Sequence, residues 1–248
     1  LRRELAHARA LVEAEQLRLP QSPPELLPGP FATARQACAA MAQAGRAVVE
    51  HGLVDSSFGN VSCRQATPEG ELPPISQTGS ALDELEGLID PCRMDGTSCV
   101  GLTASSEYSA HKAVYDACGA RVILHGHPRF AVILSMDCEL LDCPGQGGCH
   151  RACSRPRALE SASTGLHAPI VPGEVGTGPH GLCHTLPAAL ASAPAGTGGG
   201  RAAMVYGHGL FAAADADFRA AFALLLETER FCRREYFRRV DALCGPAA

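Results

Sequence analysis

The stretch RVILHGHPRFAVILSM, Arg121–Met136, decides how the chain folds. Its first half, RVILHGH, is a short apolar run ending on two histidines, and it reads as a buried strand. Pro128 stops that run and suits the first turn of a helix, so PRFAVILSM reads as a helix following directly. The same alternation spreads outward in both directions. Upstream, SSEYSAHKAVYDAC (Ser105–Cys118) reads as a helix capped by Ser105 or Ser106. TARQACAAMAQAGRAVVEHGL has apolar residues at helical spacing and ends near Gly52. Between them, GNVSCR (Gly59–Arg64) and PPISQTG (Pro73–Gly79) read as short strands joined by a turn, with a further strand-like segment over Ile89–Val100. Downstream, Asp137–Leu166 reads as irregular, HAPIVPG as a strand, and GLCHTLPAALASA as a helix begun or interrupted at Pro187. AAMVYGHG then reads as a buried strand and DADFRAAFALLLETERFCRREYFRRV as a long closing helix. Alternating elements with some consecutive strands predict an α/β/α sandwich around a mixed sheet.

Leu1–Leu19 has an amphipathic helical pattern, and PQSPPELLPGP (Pro20–Pro30) is a Pro-rich linker. The expected organisation is therefore an arm over residues 1–30 and a compact domain over 31–248, with a Cys-rich insertion at 137–166. The start at Leu1, without a signal-peptide core, leads to the expectation of a segment from a larger chain.

Composition narrows the function classes. The 248 residues are 46% apolar and 19% charged, a globular balance. Net charge is −5, with no basic stripe interleaved with aromatics, so no nucleic-acid partner is expected. No apolar run approaches the roughly 18–20 residues of a membrane span, so no membrane partner is expected either. Twelve cysteines in a chain long enough to fold without staples, and without an export signal, point to a reducing cytoplasm.

Residues two apart on a strand share a face, so His125 and His127 point the same way where the strand ends. Alone, such a pair serves equally well as a solvated strand tip. Two further features change the balance. VYGHG ends another apolar strand on His208, between Gly207 and Gly209, which allow close approach. Glu107 opens a helix, where a carboxylate is favoured by the dipole and could equally be a plain cap. Three imidazoles with a carboxylate or water form a catalytic zinc pattern. His111, one turn beyond Glu107, suits either support of that carboxylate or packing.

With these residues in view, the sequence resembles the class II aldolase/adducin family from about Thr33 to Val240. The resemblance is carried by GLVDSSFGNVSCR, ISQTGSALDEL, TASSEYSAHKAVY, VILHGHPRFAVILS and VYGHGLFAAADADFRAAFALLLETE, in that order. It implies a three-layer α/β/α sandwich with a mainly antiparallel central sheet. It implies one Zn2+ per chain held by His125, His127 and His208, with Glu107 as ligand or catalytic base. It also implies a phosphate pocket from Gly59-Asn60, Thr78-Gly79 and Ser105-Ser106, and a homotetramer with sites between subunits. The pocket residues make chemical sense on their own. Glycines expose amides, hydroxyls and an amide add neutral donors, and a helix N-terminus adds partial positive charge. Each pair alone is also ordinary turn chemistry.

The expected activity is zinc-dependent retro-aldol cleavage of a phosphorylated ketose, or of a similar small phosphorylated substrate, through a metal-stabilised enediolate. The family's aldolases keep a proton-donating tyrosine between their second and third histidines. Here none of the four tyrosines lies between Asp137 and Met204. A sugar-phosphate dehydratase, an epimerase and a non-catalytic adducin-like binding module therefore stand as alternatives. In place of the tyrosine, the insertion holds Cys138, Cys143, Cys149 and Cys153. Their spacing fits no standard finger or ferredoxin run, leaving a structural zinc, an iron–sulfur cluster, a disulfide or free thiols open.

Overall fold

The computed structural model describes residues 2–67, 70–93, 104–138, 157–174, 176–196 and 199–244. An eight-stranded sheet runs in the order β5-β4-β1-β6-β10-β9-β8-β7. Its strands are β1 (Asn60–Cys63), β4 (Pro74–Ser76), β5 (Ile89–Pro91), β6 (Val122–Gly126), β7 (Ala158–Ser161), β8 (Leu166–Val171), β9 (Arg201–Val205) and β10 (Gly209–Ala214). Every neighbouring pair is antiparallel except β8 and β9. The sheet is thus mixed and mainly antiparallel.

The central strands are buried along their whole length because helices cover both faces. Val122, Leu124, Leu210 and Ala212 face α2 (Ala34–Glu50), α4 (Arg129–Met136) and α6 (Phe218–Cys244). The alternate residues Ile123, Phe211 and Ala213 face α3 (Tyr108–Cys118) and α5 (Leu182–Ser192). Two apolar cores on opposite faces of one sheet make the three-layer α/β/α sandwich. The N-terminal helix α1 (Arg2–Gln16) lies against α6: Val12 packs on the larger core and Arg9 meets Asp241 at 2.8 Å. Among the described residues, no helix is long and apolar enough to cross a membrane.

Three expectations are corrected, and one strand appears that the sequence reading does not assign. The turn between the first two strands holds a small hairpin of its own, β2 (Gln65–Thr67) and β3 (Gly70–Leu72). The segment expected to be irregular to Leu166 contains β7, which pairs with β8. The strand expected over AAMVYGHG stops at Val205, and His208 lies in the tight turn that leads into β10. GLFAAA, an Ala-rich run beside a long helix, is that tenth strand, buried at all six positions. Pro187 lies within α5. Of the strand expected over Ile89–Val100, Ile89–Pro91 is formed, and residues 94–100 lie outside the described residues.

Thr33 caps α2 through its side-chain oxygen, which accepts from the Gln36 amide. Within α2, Gly45 lets the helix press against the short 3-10 turn at Leu82–Glu84. A Cβ at Gly45 would lie 2.2 Å from the Leu82 carbonyl oxygen and 2.9 Å from a Leu85 methyl. Gly45→Ala should therefore destabilise the fold by about 1–3 kcal/mol, even though alanine favours an open helix by about 1 kcal/mol. Equilibrium chemical denaturation measures this, and a stabilised variant would contradict the close packing.

Candidate metal centre

The register across β1, β6 and β10 sets Asn60 opposite His125 and His125 opposite Phe211. These three side chains form one row on the sheet face that α3 covers. His125 is 1% exposed, and the Phe211 ring stacks on its imidazole with centroids 3.9 Å apart. Its Nδ1 lies 3.1 Å from the Leu210 carbonyl. Donation there fixes the tautomer and leaves the Nε2 lone pair facing inward. His127 lies just past the end of β6, and its Nε2 approaches that of His125 at 3.0 Å. His208 enters from the β9–β10 turn, its ring 5.1 Å from that of His125 and 4.6 Å from that of His127. One ring nitrogen from each of the three histidines lies within 4.8 Å of the others. Among the described residues this is the one such convergence of His, Cys, Asp and Glu.

Glu107 joins them from the start of α3. Its carboxylate accepts from Asn60 Nδ2 at 2.7 Å, meets His208 Nε2 at 3.0 Å, and lies 3.5 Å from His125 Nε2. This corrects the expected cap of α3. Glu107, rather than Ser105 or Ser106, holds the N-cap position, and it makes no side-chain cap because its carboxylate is turned toward the histidines. Ser105 Oγ instead accepts from the Glu107 amide at 3.3 Å. His111, next along the same helix face, is fully buried and bonds through Nδ1 to Ser62 Oγ at 2.7 Å. Ser62 in turn meets Tyr115 Oη at 2.5 Å. Asn60 and Ser62 are two apart on β1, while Glu107, His111 and Tyr115 are four apart on α3, so the two elements meet along a polar seam. Sequence reasoning reached Glu107 and His111 but missed Ser62, Tyr115 and Phe211. The i, i+4, i+8 spacing on α3 and the alternation on β1 were the available signals.

The donors suit a divalent cation. Burial holds the His125 imidazole down at about 4 despite the nearby Glu107 carboxylate. Burial and the two neighbouring imidazoles hold His127 at about 3. Both are therefore neutral near pH 7, as metal binding requires. Burial pushes the Glu107 carboxyl up, but His125, His208 and Asn60 outweigh it and hold the carboxyl well below the usual carboxylate range. Two neutral imidazoles, a third beside them and an ionised carboxylate form an N/O donor set of the kind zinc takes.

The other sequence-predicted residues gather nearby or fall elsewhere. The β1–β4 pairing brings Gly59-Asn60 and Thr78-Gly79 to one end of the strand pair. The Gln77–Ala104 bridge, and the Ser105 amide bonded to the Ser76 carbonyl at 3.1 Å, bring Ser105-Ser106 to the same end. Thr78, Gly79 and Ser106 are exposed, while the Asn60 amide is engaged by Glu107. Gly59 has φ +110°, and a Cβ there would lie 2.3 Å from the His125 carbonyl oxygen, so only glycine fits. Phe58, 54% exposed, lies with its ring 5.7 Å from that of His127. Cys138 is exposed; Cys143, Cys149 and Cys153 lie outside the described residues.

The signature of the Class II Aldolase and Adducin N-terminal domain matches residues 39–236. Among solved structures, L-fuculose-1-phosphate aldolase from Thermus thermophilus is similar at 26% identity with a TM-score of 0.60, covering 86% of this chain and 98% of that one. YgbL, whose reaction is open among aldolase, epimerase and decarboxylase, is similar in fold. The Escherichia coli protein has 20% identity and a TM-score of 0.60, covering 81% of this chain and 88% of that one. The Klebsiella pneumoniae protein has 24% identity and a TM-score of 0.60, covering 84% and 91%. No curated protein matches the sequence significantly.

Acid should weaken the metal-free fold in a defined window. His111 and His125 are held at about 4 and His127 at about 3, against an ordinary 6.5. Unfolding therefore takes up protons below 6.5, and stability falls as pH drops from 6.5 toward 4. The depressed Glu107 carboxyl contributes stability above its ordinary 4.5 that is lost below it. Thermal midpoints of chelator-treated protein should decline steadily from pH 7 to 4. A flat profile would contradict neutral buried histidines.

Proposed function

The chain belongs to the class II aldolase and adducin family, and on that premise we propose that it is a zinc-dependent lyase that cleaves a phosphorylated ketose by a retro-aldol reaction. The supporting observation is the convergence of His125, His127, His208 and Glu107, the first and last buried and the other two part-buried. A non-catalytic binding module has no use for four such groups, two of which, His125 and Glu107, are buried and costly to bury without a partner. Zinc bound by the three histidines would polarise a ketone oxygen and stabilise the negative charge that develops beside it.

The chain's own residues account for the rest. Glu107, ionised and held by Asn60 and His208, takes the proton of the hydroxyl on the carbon beyond the one next to the carbonyl as the bond between those two carbons breaks, and returns a proton to the carbon next to the carbonyl. Gly59, Thr78, Gly79, Ser105 and Ser106 offer amides, hydroxyls and the N-terminus of α3 to the substrate phosphate. Asn60 stands between that cradle and Glu107, so phosphate binding and carboxylate placement share one strand end. Anchoring the phosphate fixes the carbonyl against the histidines and supplies binding energy away from the reacting bond.

The segment where the family's aldolases keep their acid carries no tyrosine from Asp137 to Met204. This favours a second reading, in which the same carboxylate moves a proton for epimerisation or dehydration. A homotetramer in a reducing cytoplasm is part of the proposal; the buried thiols of Cys63 and Cys232, without disulfides, suit that compartment.

Purified protein should carry about one zinc per chain at this site, and His208→Ala should lose it, by elemental analysis. Glu107→Gln should retain most of the metal but lower kcat by about 10²–10⁴-fold on the best substrate of a sugar-phosphate panel. Ser106→Ala should raise KM for the phosphorylated substrate with kcat little changed. Wild-type protein without zinc, or full activity in Glu107→Gln, would overturn the reading.

A further inference from the structure

Helix α4 begins two residues after His127 and ends just before Asp137. Pro128 occupies its N-cap position and provides no side-chain cap. The free amides of its first turn are satisfied from elsewhere in the chain. Phe130 N–H and Ala131 N–H donate to the two carboxylate oxygens of Glu229 on α6, each at 3.0 Å. Glu229 is 8% exposed, a buried carboxylate set on the positive end of a helix. At the other end of α4, Ser135 is fully buried. Its Oγ donates to the Val132 carbonyl and accepts from Gly207 N–H at 2.9 Å. Gly207, with φ +62°, directly precedes His208 in the β9–β10 turn.

One eight-residue helix is therefore joined to His127 by the chain at one end and to the His208 turn by a hydrogen bond at the other. We propose that α4 is a strut that sets the spacing between His127 and His208, and that Glu229 and Ser135 are the positioning residues that hold it. The proposal rests on the reading of the three histidines as a metal centre. Glu229 seats the strut on α6, and so fixes where the chain leaves β6 through His127 and Pro128. Ser135 fixes the turn that delivers His208. Neither side chain touches the metal or the substrate; each acts through the position of a histidine.

Zinc affinity, measured by competition with a chromogenic chelator, tests this, together with the visible absorption of the Co2+-substituted protein. Glu229→Gln and Ser135→Ala should each weaken zinc binding by about 10–100-fold and alter the Co2+ band, while Ser135→Thr, which keeps the hydroxyl, should restore both. Leu190→Val in α5, on the opposite face of the sheet, serves as a core control and should lower thermal stability without changing affinity or spectrum. Wild-type affinity and spectrum in both Glu229→Gln and Ser135→Ala would overturn the strut. So would equal weakening by Leu190→Val. A wild-type chain that binds no zinc would overturn both the strut and the metal reading beneath it, which separates the two failures.

Discussion

Glu107 holds a negative charge at 7% exposure, and the geometry of the site follows from what that charge requires. A buried carboxylate costs several kcal/mol unless donors and positive charge surround it. Asn60 on β1 and His208 in the β9–β10 turn supply hydrogen bonds, with His125 on β6 3.5 Å away, and the three come from separate parts of the chain. Only a sheet that places β1, β6 and β10 side by side can bring them together. The Leu210 carbonyl fixes the His125 tautomer, so the 3.0 Å approach of His127 is a hydrogen bond donated by the His127 Nε2 proton. That proton, and the one His208 shares with Glu107, mark the positions a divalent cation would take, and a neutral imidazole frees its Nε2 for the metal by carrying its proton on Nδ1 instead.

The layers of the fold are legible because periodicity changes sharply at Pro128 and because the central strands carry short apolar runs such as Val122–Leu124 and Ala202–Val205. The His-x-His pair was legible for the same reason, two imidazoles closing an otherwise apolar run. Strand β10 was not. GLFAAA is Ala-rich and leads into DADF and a long helix, so local propensity favours helix, whereas pairing with β6 and β9 makes it a strand. His208 reads as the end of a strand because glycines beside a histidine suit close approach as well as a turn; here they form the turn. The cap of α3 was misread since a serine before a helix ordinarily caps it; here the polar seam with β1 draws Glu107 inward. Asn60 looked like a phosphate donor from its neighbour Gly59, and its bond to Glu107 depends on a cross-strand register that no local pattern reveals.

The histidines, Glu107 and Asn60 are borne on the central strands, the start of α3 and one tight turn. The residues that distinguish cleavage from other reactions at a carbon beside a ketone belong, in the family's aldolases, to the segment between the second and third histidines. In this chain the part of that segment from Asp137 to Met204 has cysteines and no tyrosine. The proposed site, with proton transfer beside a carbonyl, accords with the similarity to L-fuculose-1-phosphate aldolase.

The central claim is that the metal is held by imidazoles. X-ray absorption at the zinc edge, on protein loaded with one equivalent of Zn2+, tests it directly. The account predicts nearest neighbours of nitrogen and oxygen at about 2.0–2.2 Å, with the outer scattering pattern of three imidazole rings, lost in His208→Ala. Nearest neighbours dominated by sulfur at about 2.3 Å would place the metal on the cysteines instead and contradict it.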